Sequence, residues 1–193
     1  MDHDLSLAER IRDGDRGAFA RVVDLYQQPL FYFALRWTRN KADAEDIVQR
    51  AFLNAYTGIR SYRGQASLKT WLFQIALNLL KNEARSRKVR KEEEIDDAIP
   101  SKEISPLAQS MAKEEKKLML KMVDRLKPKQ KATLLLRVFQ DLSFREVAQA
   151  MNCSQNTAKV NFHYALSNLR QMMIKEGYTN EMPVQENVVG LLG

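Results

Sequence analysis

Amides and cations recur at helical spacing between residues 68 and 91. One of them stands at every third or fourth position, in a row made of Gln74, Asn78, Lys81, Arg85 and Lys88, with Asn82 alongside. Cations in a row suit a phosphate backbone, and two amides one turn apart suit the edges of exposed bases. The polar loop before the row offers Arg63 and Ser67 as donors on either side of Gly64. We therefore expect nucleic-acid binding here, with a solvated amphipathic helix as the alternative.

A second candidate surface lies near the C-terminus, where signals for two helices flank a tight turn. Ser143 and Glu146 form a capping box, and Ser154 is a good cap for a longer final helix. Asn152 between them accepts the left-handed conformation of a turn. Short helix, turn and longer helix make a helix-turn-helix, whose second helix enters the major groove of DNA. The side chains expected at the bases are Gln155, Asn156, Lys159, Val160 and His163, and the basic companions are Lys127, Lys129, Lys131 and Arg137.

A third surface is predicted on a helix over residues 41–56, which Asn40 caps. Its exposed face carries Asp46, Gln49, Arg50 and Leu53. An apolar residue framed by polar ones is typical of protein-docking surfaces, although a lone surface leucine also needs no explanation. The carboxylates in its first turns suit the positive end of the helix dipole. Because no histidine is nearby, a metal or acid-base site is the weaker interpretation.

Composition excludes several classes of protein. The net charge of +7 points to an acidic partner, either nucleic acid or anionic lipid. One cysteine and two histidines provide neither a disulfide framework nor zinc-ligand spacing, and we find no phosphate-cradling glycine loop or nucleophile dyad. We therefore predict no enzyme activity, no metal and no cofactor. Since no run approaches membrane length and the acidic N-terminus is unlike a signal peptide, we expect a cytoplasmic protein without membrane insertion of its own.

Helical periodicity predicts an all-α fold: two small helical domains joined by a flexible acidic linker, the C-terminal domain being the helix-turn-helix. The expected ranges are 1–91 for the first domain, 92–111 for the linker, 112–176 for the second domain and 177–193 for a disordered tail. Pro29 is expected to kink or break the second helix. The aromatic residues after it are expected in the core rather than in a cofactor box, namely Phe31, Tyr32, Phe33 and Trp37.

The spacing of apolar residues predicts two buried stripes. In the helix that begins at residue 68, the stripe consists of Leu68, Trp71, Leu72, Ile75 and Leu79. In the final helix, it consists of Ala158, Phe162, Ala165, Leu169 and Met172.

Taken together, several segments resemble the extracytoplasmic-function (ECF) sigma factors of bacterial RNA polymerase. These segments are Asp43–Gln49, Tyr62–Gly64, Thr70–Asn78, Leu126–Gln130 and Asp141–Ala148. Any one motif is weak evidence alone, whereas their order and separations together are highly specific. The resemblance extends from Ala8 to Met173.

The resemblance implies an alternative sigma factor that directs promoter-specific initiation by core RNA polymerase. The face with Asp46, Gln49, Arg50 and Leu53 would dock on the clamp helices of the polymerase's largest subunit. The minus-ten element of promoter DNA, with one flipped base, would be held by Arg63, Gly64, Ser67, Trp71, Asn78, Lys81, Asn82 and Arg85. The minus-thirty-five element would be read as duplex by Gln155, Asn156, Thr157, Lys159, Val160, His163 and Tyr164. An anti-sigma factor that covers the docking face until a stress signal arrives is also implied.

Departures from the family's pattern accompany the resemblance. The family usually has glycine at the position of Asn156, and serine and arginine at those of Val160 and Asn161, so a different minus-thirty-five sequence is expected. Arg50 replaces a frequent glutamate on the docking face. Two alternatives stay open: an autonomous helix-turn-helix regulator, which binds duplex operators as a dimer without polymerase, and a helical adaptor that binds only proteins. The second predicts little salt-dependent DNA binding.

Overall fold

The computed structural model of the protein describes residues 2–93 and 118–177, with side chains described for 4–86 and 118–177. Both ranges are helical and contain no strand, which confirms the all-α prediction. The chain divides into two compact units, Met1–Lys102 and Glu103–Gly193. The predicted linker, from residue 94 onward, and the predicted tail, from residue 178 onward, lie outside the described residues. Of the helices described, none is both long enough and apolar enough to cross a membrane.

The N-terminal unit contains α1 (Asp2–Arg12), α2 (Arg16–Thr38), α3 (Lys41–Gly58), a 3-10 helix (Ile59–Ser61) and α4 (Leu68–Glu93). Two of its helices begin at side-chain caps, of which the one at Asn40 was predicted. The Asp15 carboxylate accepts a hydrogen bond from the Ala18 amide at 3.0 Å, and the Asn40 side chain accepts one from the Asp43 amide at 3.1 Å. Each cap satisfies a donor that the first helical turn leaves without an intrahelical partner, so the helix boundaries follow from local chemistry.

Helix α2 continues through Pro29, so of the two expected outcomes, a kink or a break, the break does not occur. The aromatic residues after it are distributed around the helix and are not all in the core. Phe33 is fully buried and meets the Phe73 ring at 5.3 Å, whereas Tyr32 is 48% exposed and Phe31 and Trp37 are half-buried. Successive residues on a helix are about 100° apart, so Phe31, Tyr32 and Phe33 project in three different directions. Four clustered aromatic residues therefore cannot share one buried face.

The buried face of α4 also differs from the predicted stripe. Leu68 and Leu72 are buried as predicted, but Trp71, Ile75 and Leu79 are only half-buried. The remaining buried apolar positions are Phe73, Ala76, Leu77 and Leu80. Because α4 packs against both α2 and α3, its buried surface is broader than a single stripe and centred on another side of the helix. The predicted spacing was right for a helix and wrong for its orientation.

The C-terminal unit contains helical residues 118–124 (α5), α6 (Pro128–Phe139), α7 (Phe144–Met151) and α8 (Gln155–Lys175). Pro128 starts α6, a position where its missing amide hydrogen costs no helical bond. Helix α8 buries Ala158, Phe162, Ala165 and Leu169 as expected, but its stripe ends with Met173 rather than the half-buried Met172. Asn152 has φ 52° and joins α7 to α8 in the left-handed conformation, which completes the predicted helix-turn-helix.

Candidate functional site

The amide row of α4 lies on an exposed face that also carries apolar side chains. Asn78, Asn82 and Arg85 are exposed, and Gln74 and Lys81 are half-buried; the side chain of Lys88 lies outside the described residues. Ile75 and Leu79, both half-buried, lie about one helical turn before Asn78 and Asn82, and the half-buried Trp71 lies two turns before Asn78. Amides beside partly exposed apolar surface can bond the edge of an unstacked base while its face rests on carbon atoms. This combination favours single-stranded nucleic acid over a phosphate backbone alone.

The loop before α4 brings the other predicted minus-ten residues next to this face. Arg63 is exposed, and Gly64 has φ +69°, a conformation that glycine adopts without strain. Ser67 has a local role: its hydroxyl oxygen accepts from the Thr70 amide at 3.1 Å and lies 2.8 Å from the Thr70 hydroxyl. Ser67 therefore acts as a cap at the start of α4, in addition to its predicted role as a donor to DNA.

Tyr62 organises this loop, a role that the sequence pattern did not predict. Its hydroxyl donates to the Ala66 carbonyl at 2.7 Å, and its ring lies 5.2 Å from that of Trp71. Burial, with smaller contributions from the charges of Asp4 and Tyr26, raises the pKa of Tyr62 to about 12, although the Arg12 guanidinium acts in the opposite direction. The sequence contained one signal of this role, namely an aromatic residue within an otherwise polar loop.

The predicted docking face of α3 is exposed. Asp46, Gln49 and Leu53 are exposed, and the Leu53 side chain is 62% accessible. Arg50 is half-buried because it joins two helices: its guanidinium lies 3.0 Å from the Asp46 carboxylate and 3.7 Å from that of Glu83 on α4. Tyr56, one turn after Leu53, is 42% exposed and extends the apolar part of the face. Sequence spacing from Leu53 was a signal that would have found it.

The start of α8 exposes the predicted duplex-reading residues: Gln155, Asn156, Thr157, Lys159, Val160, His163 and Tyr164. Ser154 caps the helix by accepting from the Thr157 amide at 3.0 Å. Val160 and Tyr164 are 43% and 55% exposed, so apolar surface is presented among the polar groups. Asn161 donates its amide to the Thr157 carbonyl at 2.8 Å, a local bond that holds it along the helix.

Two of the four basic companions have structural roles instead. Lys131 is buried, and its ammonium lies 2.7 Å from the Asp124 carboxylate. Arg137 donates to the Leu142 carbonyl at 3.3 Å and lies over the Phe144 ring at 5.5 Å. Lys127 and Lys129 are exposed. Counting basic residues in the sequence therefore overestimated the charge that this unit presents to a partner.

The described side chains contain no cluster of histidine, cysteine, aspartate or glutamate that would hold a metal ion. The three candidate surfaces instead offer amides, cations and partly exposed apolar groups. Such side chains suit binding by contact, and no group described on these three surfaces is arranged as a nucleophile with a base.

Comparison with known proteins assigns each unit to a described region. The family model for sigma-70 region 2 matches residues 22–90, and that for sigma-70, region 4 matches residues 116–169. The RNA polymerase sigma-H factor of Pseudomonas aeruginosa is 31% identical over 171 residues, which cover 82% of this chain and 88% of that protein. The ECF RNA polymerase sigma-E factor of Escherichia coli is 31% identical over 166 residues, covering 81% of this chain and 86% of that protein.

The fold is also found among solved structures. The sigma factor RpoE of Bartonella quintana, crystallised with the anti-sigma factor NepR, has a TM-score of 0.68 and 23% identity, covering 83% of this chain and 98% of that chain. The two region models match in sequence order, and relatives of 31% identity align over most of their length. Both units therefore belong to one family. The chain belongs to the extracytoplasmic-function RNA polymerase sigma factors, which are transcription initiation factors and not enzymes.

Proposed function

We propose that the chain is an alternative sigma factor that binds core RNA polymerase and directs it to a specific class of promoters. The observation that carries the proposal is the match to relatives named as RNA polymerase sigma factors along 86% or more of their lengths. In this proposal residues 1–91 dock on polymerase and hold the minus-ten element, residues 92–111 link the domains, and residues 112–176 read the minus-thirty-five element. The protein then works in the cytoplasm, where bacterial RNA polymerase is found.

The mixed face of α4 supports capture of a flipped minus-ten base. Asn78 and Asn82 would bond its edge, and Trp71, against the Tyr62 ring, would provide apolar surface. Arg63, Lys81 and Arg85 would contact phosphates, while Gly64 and Ser67 shape the loop. Extruding one base costs a few kcal/mol, which such contacts can offset.

The exposed start of α8 supports reading of the minus-thirty-five element as duplex in the major groove. Lys159 suits guanine acceptors, Gln155 and Asn156 suit adenine, and the exposed Val160 suits a thymine methyl group. Thr157, His163 and Tyr164 complete this surface. Because Val160 and Asn161 stand where the family usually has serine and arginine, we propose a minus-thirty-five sequence unlike the common ones.

The exposed α3 face supports docking on the clamp helices of the largest polymerase subunit. Leu53 and Tyr56 provide apolar contact, and the Asp46–Arg50 pair provides a polar rim. We also propose an anti-sigma factor that covers this face. The exposed Leu53 and Tyr56 suit this kind of regulation, because an anti-sigma factor that buries them would compete directly with polymerase for the same face.

Energetics support the need for polymerase. Opening about ten base pairs costs on the order of 14 kcal/mol in lost stacking. One captured base offsets only a few kcal/mol of this cost. The chain alone should therefore recognise promoter elements without melting them, and catalysis belongs to the polymerase.

The primary test is abortive transcription by purified core polymerase on a library of bacterial promoter fragments, with and without the protein. We expect initiation that depends on the protein and maps to a shared two-part upstream motif. A silent core, together with shifts of duplex fragments by the protein alone, would instead establish an autonomous regulator. Absence of salt-dependent DNA binding in both arms would favour the protein-binding adaptor.

A second test separates docking from base capture. Asp46→Ala with Leu53→Ala should weaken core binding and leave the fold intact, whereas Asp24→Ala with Leu25→Ala removes an equally exposed acid and leucine from α2 and should not. Unchanged core affinity for the first pair would remove the proposed docking face.

Asn78→Ala with Asn82→Ala should impair promoter opening more than holoenzyme assembly. Gln27→Ala with Gln28→Ala, two exposed amides on α2, is the matched control. Equal loss of opening and assembly in the asparagine variant would show that these two residues are structural.

A further inference from the structure

Helix α1 contacts the loop before α4 through three side chains, none of which belongs to the proposed DNA surface. The Asp4 carboxylate accepts a hydrogen bond from the Leu68 amide at 3.0 Å. Leu5 packs on Gly64, and Arg12 donates to two backbone carbonyls, of Ile59 at 3.3 Å and of Tyr62. The bonded partners are 64, 47 and 50 residues apart in the chain. The two ends of the loop are thus held by one helix.

At the far end of the loop, Asp4 supplies part of the cap of α4. Ser67 accepts from the Thr70 amide, which leaves the Leu68 amide, at the first residue of the helix, to Asp4. A carboxylate at this end also matches the positive pole of the helix dipole. The first turn of α4 therefore depends on a residue of α1, and this turn leads directly into Trp71.

In the middle of the loop, Leu5 restricts the path of the backbone. A Cβ atom added to Gly64 would lie 2.5 Å from the Leu5 Cδ2 atom, closer than real side chains approach. Gly64 also has φ +69°, so both its conformation and its surroundings require glycine. The backbone at Arg63, the exposed neighbour of Gly64, is consequently held in place by the contact between Leu5 and Gly64.

At the near end, Arg12 connects α1 to the residue that supports Trp71. Its guanidinium donates to the carbonyls of Ile59 and Tyr62 at the end of the 3-10 helix, where the Ile59 carbonyl also accepts from the Tyr62 amide at 3.2 Å. Tyr62 in turn contacts the Trp71 ring and bonds Ala66. A displacement at Arg12 would thus pass through Tyr62 to the apolar part of the α4 face.

We propose that α1 is a positioning element for base capture, with Asp4, Leu5 and Arg12 as positioning residues that act through the loop and touch no DNA. This inference rests on the proposed role of the α4 face. Its physical basis is preorganisation: a loop held in one conformation loses less entropy when it binds than a loop that samples many. Without these contacts, the loop and first turn of α4 would have to be ordered by DNA itself.

The test uses the full chain and its holoenzyme with core polymerase, comparing Asp4→Ala with Asp4→Asn, which keeps an acceptor oxygen. Asp13→Ala, just after the end of α1, controls for the change in charge. Asn40→Ala controls for loss of a helix cap elsewhere in the same unit, because Asn40 caps α3 at the end opposite the loop. The probe is a promoter fragment from the transcription assay with a single-stranded minus-ten element.

We expect Asp4→Ala to raise hydrogen exchange at the amides of residues 62–70 and to weaken minus-ten binding about fivefold, the equivalent of one cap. Core binding should be unchanged, and Asp4→Asn should restore minus-ten binding to within about twofold of the natural chain. Asp13→Ala and Asn40→Ala should leave minus-ten binding unchanged. Arg12→Ala should reproduce the effect of Asp4→Ala, with partial rescue in Arg12→Lys, because one donating nitrogen remains where arginine uses two.

Three results would overturn the inference. Unchanged exchange at residues 62–70 in Asp4→Ala would show that α1 does not order the loop. A second contrary result is raised exchange in Asp4→Ala with normal minus-ten binding, while Asn78→Ala with Asn82→Ala binds poorly. It would show that α1 stabilises the fold without positioning the loop for DNA. Normal minus-ten binding in the double asparagine variant would instead refute the proposed α4 site, and the positioning role with it, whatever the exchange data show.

Discussion

The two units of this protein build their candidate DNA surfaces in opposite ways. In the C-terminal unit, the surface is the start of one helix, and the contacts that set it are local: Ser143 with Glu146, Ser154 with Thr157, and the backbone at Asn152. In the N-terminal unit, the surface combines a loop and a helix. Asp4 and Arg12, which are 64 and 50 residues from their partners in the chain, hold the loop in place. One surface depends on neighbours in sequence and the other on neighbours in space.

This difference suits the two proposed targets. Duplex DNA presents a regular major groove, so a rigid helix with side chains at fixed spacing is sufficient to read it. A flipped base has to be enclosed by groups that approach from several directions. A loop packed against a helix provides those directions, but it needs support from elsewhere in the fold. Substitutions should therefore have local effects in the C-terminal unit and remote effects in the N-terminal unit.

The largest effect is expected for Gly64→Ala. The positive φ and the contact with Leu5 together should destabilise the N-terminal unit by about 3 kcal/mol. Denaturant unfolding followed by tryptophan fluorescence reports on this unit, because Trp37 and Trp71 are the chain's two tryptophans.

Gly14→Ala is the control for that experiment. Gly14 has φ +90° but nothing within 4 Å of an added Cβ, so its substitution should cost only about 1 kcal/mol. Equal costs at the two glycines would mean that Leu5 yields easily and that the loop is not tightly held.

In the C-terminal unit, Asn152→Ala should cost about 1 kcal/mol, because alanine tolerates φ 52° poorly. Asn152→Gly should restore or exceed the natural stability. Hydrogen exchange of α7 and α8 measures the effect. A change in exchange within residues 59–68 would contradict the local character of this turn.

A smaller loss, about 1 kcal/mol at most, is expected for Ser143→Ala, which removes the acceptor of the Glu146 amide. Exchange should increase in the first turn of α7. Ser143→Asp, which keeps an acceptor, should recover most of the loss. If Ser143→Ala instead altered the end of α8, the cap would have a tertiary role that its contacts do not suggest.

The smallest predicted effect concerns Tyr62 in the N-terminal unit, and it is a loss of stability at high pH. Its pKa is raised from 10.0 to about 12, so the neutral phenol is favoured in the folded state. The stability it contributes is fully present below pH 10 and is lost as pH rises through about 12. The ultraviolet absorbance of phenolate can be followed against pH in the natural chain and in Tyr62→Phe. The difference between the two titration curves should show this late transition. A difference curve centred at pH 10 would show that Tyr62 is not held in the loop.

The same contrast explains which sequence predictions were right. Caps at Asp15, Asn40, Ser143 and Ser154 were all predictable, because each joins a side chain to an amide three residues later. The helix-turn-helix followed from them, and so did the exposure of the start of α8. These features depend on helix geometry alone.

Predictions that required knowledge of packing were less accurate. Lys131 was expected on the surface, but α6 places it beside Asp124, where burial and an ion pair hold it. Tyr32 was expected in the core and is exposed because its neighbour Phe33 takes the buried position. The orientation of α4 depends on having both α2 and α3 as neighbours. No pattern within a single helix contains that information.

The amino-acid sequence was sufficient to define the helix caps, the family and most of the residues exposed on the three candidate surfaces. Only the folded chain brings Asp4 to the Leu68 amide, Arg12 to the Tyr62 carbonyl and Leu5 to Gly64. The physical reason is the range of the interactions involved. Capping bonds and helical spacing operate within four residues, whereas the support of the loop before α4 comes from side chains that meet only after α1 has packed in the fold.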